Sequence, residues 1–302
     1  GLGDVYKRQI HLKSNVKLYL EEGCVIHFSS CMEDYLPPVF TRWEGVECYN
    51  YSPLIYAADC ENVTICGTGV LDGAGSAWWH WKKLQQNAAD RLIRAESQGI
   101  VVEERVFATR EDALRPSFIQ FINCKHVTLE DFTIEDGPQW TIHPVYCEDV
   151  VVRGVTVNTK GPNTDGCNPD SCRKVLIEDC TFDTGDDCIA INSGMNEDGW
   201  RVGRPCEQIE VKNCRFIGGH AAVANGSGMS GGICDIRIHD CVVRGTERGI
   251  RIKSMRGRGG YVKRINVERM QMDEIEKEAI EVSMNYGSST AVPVSQKAPE
   301  FS

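Results

Sequence analysis

No uninterrupted run of about 18 apolar residues occurs in this chain, so no membrane-spanning helix is expected. The opening stretch, "GLGDVYKRQ", has no apolar core of its own and is not a secretory signal. There is no Cys-x-x-Cys pair and no cysteine–histidine spacing of the kind that binds a metal, so neither zinc nor dithiol redox chemistry is indicated. Basic charge is also scarce. With 33 Lys and Arg against 43 Asp and Glu, the net charge of −10 argues against nucleic acid or an anionic membrane as a partner.

What is present is an ordinary globular composition, 41% hydrophobic and 25% charged, over 302 residues. The alternation of apolar and polar residues begins at "IHLKSNVKLYL", so residues 1–9 are read as a non-native leader or a fragment boundary. The chain stops at "VSQKAPEFS" without a terminating element, so further coils are expected beyond it. Residues 10–302 are expected to form one domain. The compartment is not read from the missing signal, and the oligomeric state is left open.

Self-similarity is the strongest signal. Seven segments carry mostly apolar residues at relative positions 0, 2, 5 and 7, starting at Val63, Val127, Val150, Val175, Ile209, Ile236 and Ile265; Thr68 alone is not apolar. An earlier Asn15–Leu18 begins the series. Each segment alternates with period two, shifts by one at a bend, then alternates again, which describes two short strands meeting at a corner. One such pair and a third strand per coil fit a parallel β-helix in which each coil buries the next. Cys180, Cys214 and Cys241 share a column there, and are expected to be buried free thiols that behave as small hydrophobes.

Residues 83–114 interrupt the pattern with helix formers and are expected to leave one coil as a partly helical insertion that walls a cleft. Trp78, Trp79 and Trp81 just before it are expected to anchor the excursion rather than to stack on a sugar.

Aligning the segments that end four successive coils on their serine gives "TDGCNPDS", "DDCIAINS", "HAAVANGS" and "ERGIRIKS". Cys167, Ile189, Val223 and Ile250 then share an inward column, while Asp186, His220, Arg251 and Lys253 face outward. Asp165 and Asp187 fall on the inward parity. Since a buried carboxylate is costly, a corner is expected that lets both Asp186 and Asp187 reach solvent. Lys253 lies six positions along from Asp186, about 20 Å at strand rise, which places it outside contact with one sugar unless the register slips. The basic run Arg251, Lys253, Arg256, Arg258, Lys263 and Arg264 reads either as a solvated face or as a binding strip. Paired carboxylates can cleave a glycosidic bond, one protonating the leaving oxygen and the other activating water or attacking. Arg and Lys beside them suit a sugar that bears a carboxylate. Singly, "GDD" and "NTDG" are also ordinary polar corners.

At these residues the chain resembles the polygalacturonases, pectin-degrading glycoside hydrolases of family 28. "NTDG" at 163–166, "GDDCIAI" at 185–191, "GGH" at 218–220 and "RIK" at 251–253 match the family's four motifs in order. The resemblance implies an all-β, right-handed parallel β-helix (a pectin-lyase-like solenoid) that hydrolyses α-1,4-galacturonosyl links with inversion. It implies Asp186 as general acid, Asp165 and Asp187 as the pair that holds and deprotonates water, and His220 as the group that tunes the acid. Arg251 and Lys253 would bind the uronate carboxylate, with Asn163 and Tyr286 as further substrate contacts. It implies no metal or organic cofactor and a pectic polysaccharide or oligogalacturonide as partner; localisation is left open, with a secreted or periplasmic placement favoured over a cytoplasmic one. The insertion favours exo action. Two departures bear on subsite preference. The family's "GHG" reads Gly219-His220-Ala221, and an "IGSE"-like run reads Asn225-Gly-Ser-Gly228.

Other readings remain: hydrolysis of rhamnogalacturonan or xylogalacturonan, a non-catalytic carbohydrate-binding solenoid, or a pectate lyase whose aspartates hold calcium and whose Arg251 acts as base.

Overall fold

The seven repeat segments stack in one register. Val63, Val127, Val150, Val175, Ile209, Ile236 and Ile265 are successive partners along a single parallel ladder, and Leu18 extends it by pairing with Ile65. The computed structural model describes residues 3–286 and 297–302. Within them the chain winds as a right-handed parallel β-helix with three sheets as its sides.

The first sheet runs through Lys17–Leu20, Glu61–Gly67, Lys125–Glu130, Glu148–Arg153, Arg173–Glu178 and Cys206–Lys212 into the leading halves of Ile233–Arg244 and Tyr261–Asp273. The second carries Val25–Phe28, Val70–Asp72, Thr133–Glu135, Thr156–Thr159, Thr181–Thr184 and Arg215–Gly218. The third stacks Ile10–His11, Ile55–Ala58, Ile119–Ile122, Ile142–Val145, Ile189–Ile191, Val223–Asn225, Ile250–Lys253 and Ile280–Ser283. Its two halves are joined by single bridges at Cys167 and Asp170.

The shift by one inside each repeat has a backbone cause. Position 4 holds Gly67, Asp131, Gly154, Asp179, Asn213, Asp240 and Arg269, all with φ between 48° and 104°. A single left-handed residue turns the chain without sending a side chain inward, so alternation resumes with the opposite parity. Gly, Asn and Asp tolerate that conformation best, and they fill six of these seven positions. A second left-handed column precedes each repeat, at Asn62, His126, Asp149, Lys174, Gln208, Asp235 and Arg264.

The inward columns form one continuous core. Cys180, Cys214 and Cys241 are buried in it as expected, and all fifteen cysteines are free. A longer thiol column that the sequence pattern did not single out, Cys60, Cys124, Cys147, Cys172 and Cys206, lies at the entry to the first-sheet strands, Cys206 being the first residue of its own.

Two excursions leave the corner between the second and third sheets. The insertion is helical at Gln86–Ala95 and again, as a single 3-10 turn, at Val102–Glu104. Trp78 and Trp81 are buried in the main core and pack edge to face at 5.2 Å, so they anchor the excursion. The other excursion is an antiparallel hairpin, Val39–Trp43 with Val46–Asn50, which the sequence pattern did not predict. Its two-residue turn, Glu44-Gly45, has φ of 43° and 89°, the backbone of a tight hairpin turn. Trp43, Val46 and Cys48 pack against Ala88, Leu92, Phe107 and Leu114, which joins hairpin and insertion into one small core.

Buried ion pairs pin this unit to the solenoid. Arg42 Nη1 donates to Asp170 Oδ1 at 2.9 Å, and Asp170 also accepts from the Gly194 amide at 3.1 Å and lies 3.3 Å from His143 Nε2. Arg105 donates to Asp198 Oδ1 at 2.6 Å and to Glu96 Oε2 at 2.5 Å. Breaking either pair would leave a buried charge unmatched at a cost of several kcal/mol, so the excursions are held firmly as a wall. Among the described residues no helix is long and apolar enough to cross a membrane.

Candidate active site

The third-sheet alignment holds without slippage. Cys167, Ile189, Val223 and Ile250 are successive partners. Asn163–Asp165, Gly185–Asp187 and Gly218–His220 lie in the corner that leads into this sheet, before its strands begin. A cleft of about 290 Å³ opens over the sheet's outer face. Asn163, Asp165, Asp186, Asp187, Lys253 and Tyr286 all line it, with Glu44 and Ile93 contributed by the wall.

The three aspartates converge. One carboxyl oxygen of each lies within 4.8 Å of the others. The expectation that both Asp186 and Asp187 reach solvent is corrected here. Only Asp186 is partly open, whereas Asp187 is 1% and Asp165 5% exposed. Each of the two buried groups has polar company. Asn168 Nδ2 donates to Asp165 Oδ2 at 2.9 Å, and Lys253 Nζ donates to Asp187 Oδ2 at 2.6 Å. Asp187 Oδ1 has no partner among the described residues.

Environment separates the three carboxyls. Burial, then the charges of Asp186 and Asp187, raise Asp165 well above the usual carboxylate range. Burial raises Asp187 too, and the Asp186 charge adds to this against the pull of Lys253. Burial also pushes Asp186 upward, but the His220 hydrogen bond and charge, with Lys253 and the Asp187 amide, outweigh it and hold the group below its ordinary value. His220 Nδ1 donates to Asp186 Oδ1 at 3.0 Å, and this bond raises the histidine's own pKa. The Asp186–His220 contact thus favours the ionised carboxylate and the protonated ring together.

The expected distance between Lys253 and Asp186 is also corrected. Six positions along the strand do separate them, but Asp187 sits in a bend before the strand, and the four-carbon lysine stem spans the rest. Arg251 does not join the cleft lining. It is paired with Glu281 and lies 5.3 Å from the Tyr286 ring. The basic run likewise dissolves into separate contacts, Lys263 with Glu300 and Arg264 with Asp235.

Several contributors were not foreseen. Arg115, fully buried, donates to Pro138 O, Pro162 O and Asn163 Oδ1 at 3.1, 2.6 and 2.8 Å. Arginine only donates, so Asn163 must turn its oxygen to Arg115 and its NH₂ toward Asp186 Oδ2, 3.4 Å away. Burial lowers Arg115 to about 10. Glu44, held by Gln139 Nε2 at 2.9 Å, brings a fourth carboxyl to the cleft, raised by burial. Arg115, next to a proline at the end of the insertion, was the one legible signal; Glu44 had none.

The two sequence departures have clear places. Ala221 packs with Ala190 and Ala224. Asn225 points into the core between Ile191 and Ile252, with its Oδ1 unpartnered among the described residues. Gly228 lines the cleft. Three clustered carboxyls could in principle hold a divalent cation. Lys253 donates to Asp187 Oδ2 and Asn168 to Asp165 Oδ2, which leaves Asp187 Oδ1 without a partner among the described residues.

The sequence matches the family described as "Glycosyl hydrolases family 28" over residues 95–298. A probable polygalacturonase of Vitis vinifera is 34% identical over 92% of this chain and 53% of its own length. An exo-poly-alpha-D-galacturonosidase of Dickeya chrysanthemi is 26% identical over 92% of this chain and 50% of its own. Among solved structures, a hyperthermoactive exopolygalacturonase from Thermotoga maritima superposes with a TM-score of 0.92 at 39% identity, covering 99% of this chain and 69% of that one. The polygalacturonase from Erwinia carotovora ssp. carotovora, at 22% identity and a TM-score of 0.66 over 93% of this chain and 73% of its own, shares the fold. The chain spans about half the length of the curated relatives it matches.

Proposed function

The chain belongs to the glycosyl hydrolases of family 28, and from that premise we propose that it hydrolyses α-1,4-galacturonosyl links of pectic polygalacturonan. The observation that carries this reading is the meeting of Asp165, Asp186 and Asp187 at the floor of one cleft, in three distinct electrostatic settings. Asp186, the most open of the three and bonded to His220, protonates the leaving oxygen. Asp165 and Asp187 hold the attacking water, for which Asp187 Oδ1 is the uncommitted acceptor. Lys253 keeps Asp187 placed while the proton moves. His220 tunes the acid, and Asn163, oriented by Arg115, supplies a donor beside it.

Inversion follows from the family resemblance. An approach within 4.8 Å between carboxyl oxygens is shorter than the about 6.5–9.5 Å usual for an inverting pair. Both buried aspartates are engaged by donors and suited to holding water rather than attacking. Proton NMR of the newly formed anomer decides between the two outcomes. Exo action is supported by the fixed wall of hairpin and insertion and by the likeness to exo-acting relatives.

The test is incubation with polygalacturonate, wild type beside Asp186→Asn, following reducing ends and absorbance near 235 nm together. Reducing ends without absorbance, lowered about 10²–10⁴-fold in the variant, are expected. Absorbance indicates a lyase. Activity only on rhamnogalacturonan or xylogalacturonan moves the substrate assignment, and binding without cleavage of any of these leaves a carbohydrate-binding solenoid.

A further inference from the structure

The cleft is lined by four carboxyls, those of Glu44, Asp165, Asp186 and Asp187, and by two cations, Lys253 and Arg258. An anionic sugar entering it must find a positive donor that is not already neutralised. Lys253 is spent on Asp187 at 2.6 Å. Arg251, expected to be the uronate receptor, is paired with Glu281 and lies outside the lining. Arg258 differs from both. Its side-chain partners are neutral: Nε donates to Ser227 O at 3.2 Å and Nη1 to Asn196 Oδ1 at 2.6 Å. Among the described residues no carboxylate lies within ion-pairing distance of it.

Its placement is firm. The Arg258 carbonyl accepts from Trp200 Nε1 at 2.7 Å, and the Trp200 ring belongs to the helix Asn196–Val202. The turn that follows is left-handed at Gly259 and Gly260, with φ of 57° and 66°. A Cβ at Gly260 would meet Met229 O at 2.1 Å, so the turn is closely packed. The guanidinium is thus held at the cleft by neutral acceptors, with donor capacity left over.

We infer that Arg258 receives the carboxylate of a galacturonate unit in the cleft, while Lys253 serves the water-holding pair. This rests on the polygalacturonan reading and names the residue that reads the acid group. Burial without a paired carboxylate lowers the guanidinium pKa, consistent with a charge that awaits its counterion.

The test is calorimetric titration of digalacturonic acid and of its dimethyl ester into Asp186→Asn, alone and combined with Arg258→Gln or Arg258→Lys. Hydrogen bonds to a charged group predict that the glutamine change weakens binding of the acid by about 10- to 100-fold. The ester should be nearly unaffected, and the lysine change should restore part of the loss. Equal weakening of acid and ester would mark Arg258 as a structural prop and overturn the inference. So would unchanged affinity, or no binding of the acid to Asp186→Asn. Wild-type hydrolysis of polygalacturonate separates the two levels. Hydrolysis with Arg258→Gln binding unchanged removes this inference alone. Charge-selective binding lost in Arg258→Gln, without hydrolysis by wild type, removes the hydrolase reading alone.

Discussion

Replacing Lys253 by Met should be the most damaging single change in the cleft that leaves its shape largely intact. The stem keeps its length and its burial, but Asp187, 1% exposed, loses the ammonium 2.6 Å from its Oδ2. Removing one member of a buried ion pair costs about 3–5 kcal/mol at neutral pH, which lowers Tm by about 6–15 °C in a chain of this size. The pH dependence identifies the cause. Asp187 is already raised by burial and by Asp186, with Lys253 opposing them, so the variant raises it further. A carboxyl raised in the folded state gives its full stability below the ordinary value of 3.8 and loses it as pH rises through the folded pKa. The deficit of Lys253→Met relative to wild type should therefore be large at pH 7 and shrink toward pH 4. Adding Asp187→Asn should bring it to within about 1 kcal/mol, because no buried charge is then left unmatched. Urea unfolding followed by tryptophan fluorescence at both pH values is the assay. A deficit below about 1 kcal/mol at pH 7, or one that does not change with pH, would refute the reasoning.

Three further outcomes are expected. His220→Gln removes the bond that holds Asp186 low, so the acid stays protonated to higher pH and the alkaline limb of kcat/KM moves upward; a limb that stays put denies His220 the tuning role. Asn225→Val fits a column flanked by Ile191 and Ile252 and removes an orphan carbonyl at the expense of one long hydrogen bond, Nδ2 to Arg251 O at 3.4 Å, so it should stabilise by about 1 kcal/mol, and a lower Tm would mean that the bond to Arg251 outweighs the orphan oxygen. Asp170→Asn leaves the buried Arg42 charge unmatched. It should cost about 3–5 kcal/mol, a deficit that narrows as pH falls through the depressed pKa of Asp170; if the proposed exo action holds, it should also shift products from monomer toward mixed oligomers as the hairpin loosens, and an unaltered melt and product pattern together would separate the hairpin from the cleft.

The repeat register was readable from sequence because each column is set locally, by alternation and a left-handed residue four positions on. Ile189, Val223 and Ile250 fell into line for the same reason. What lay beyond reach depended on side-chain direction. Lys253 was counted along the strand as if its stem had no length. Arg258 was grouped with Lys263 in one basic run, although Arg258 turns to Ser227 and Asn196 and Lys263 to Glu300. Glu44 gave no sign of its role. Its hairpin is held by Asp170 and Asp198, more than a hundred residues away, and no local pattern encodes that meeting.

The thiol columns give this solenoid an internal clock. Of the fifteen cysteines, Cys31 is exposed, Cys66 is half-buried and the other thirteen are buried, Cys48 among them in the core of the hairpin and insertion. A maleimide or disulfide reagent should consume Cys31 at once and Cys66 more slowly, then wait for coils to part. Mass spectrometry of which sulfurs react, and in what order, would then time the unwinding coil by coil. If the end coils fray first, Cys24 and Cys241 should be modified long before Cys147 and Cys172. If the whole cylinder opens at once, all thirteen should react together.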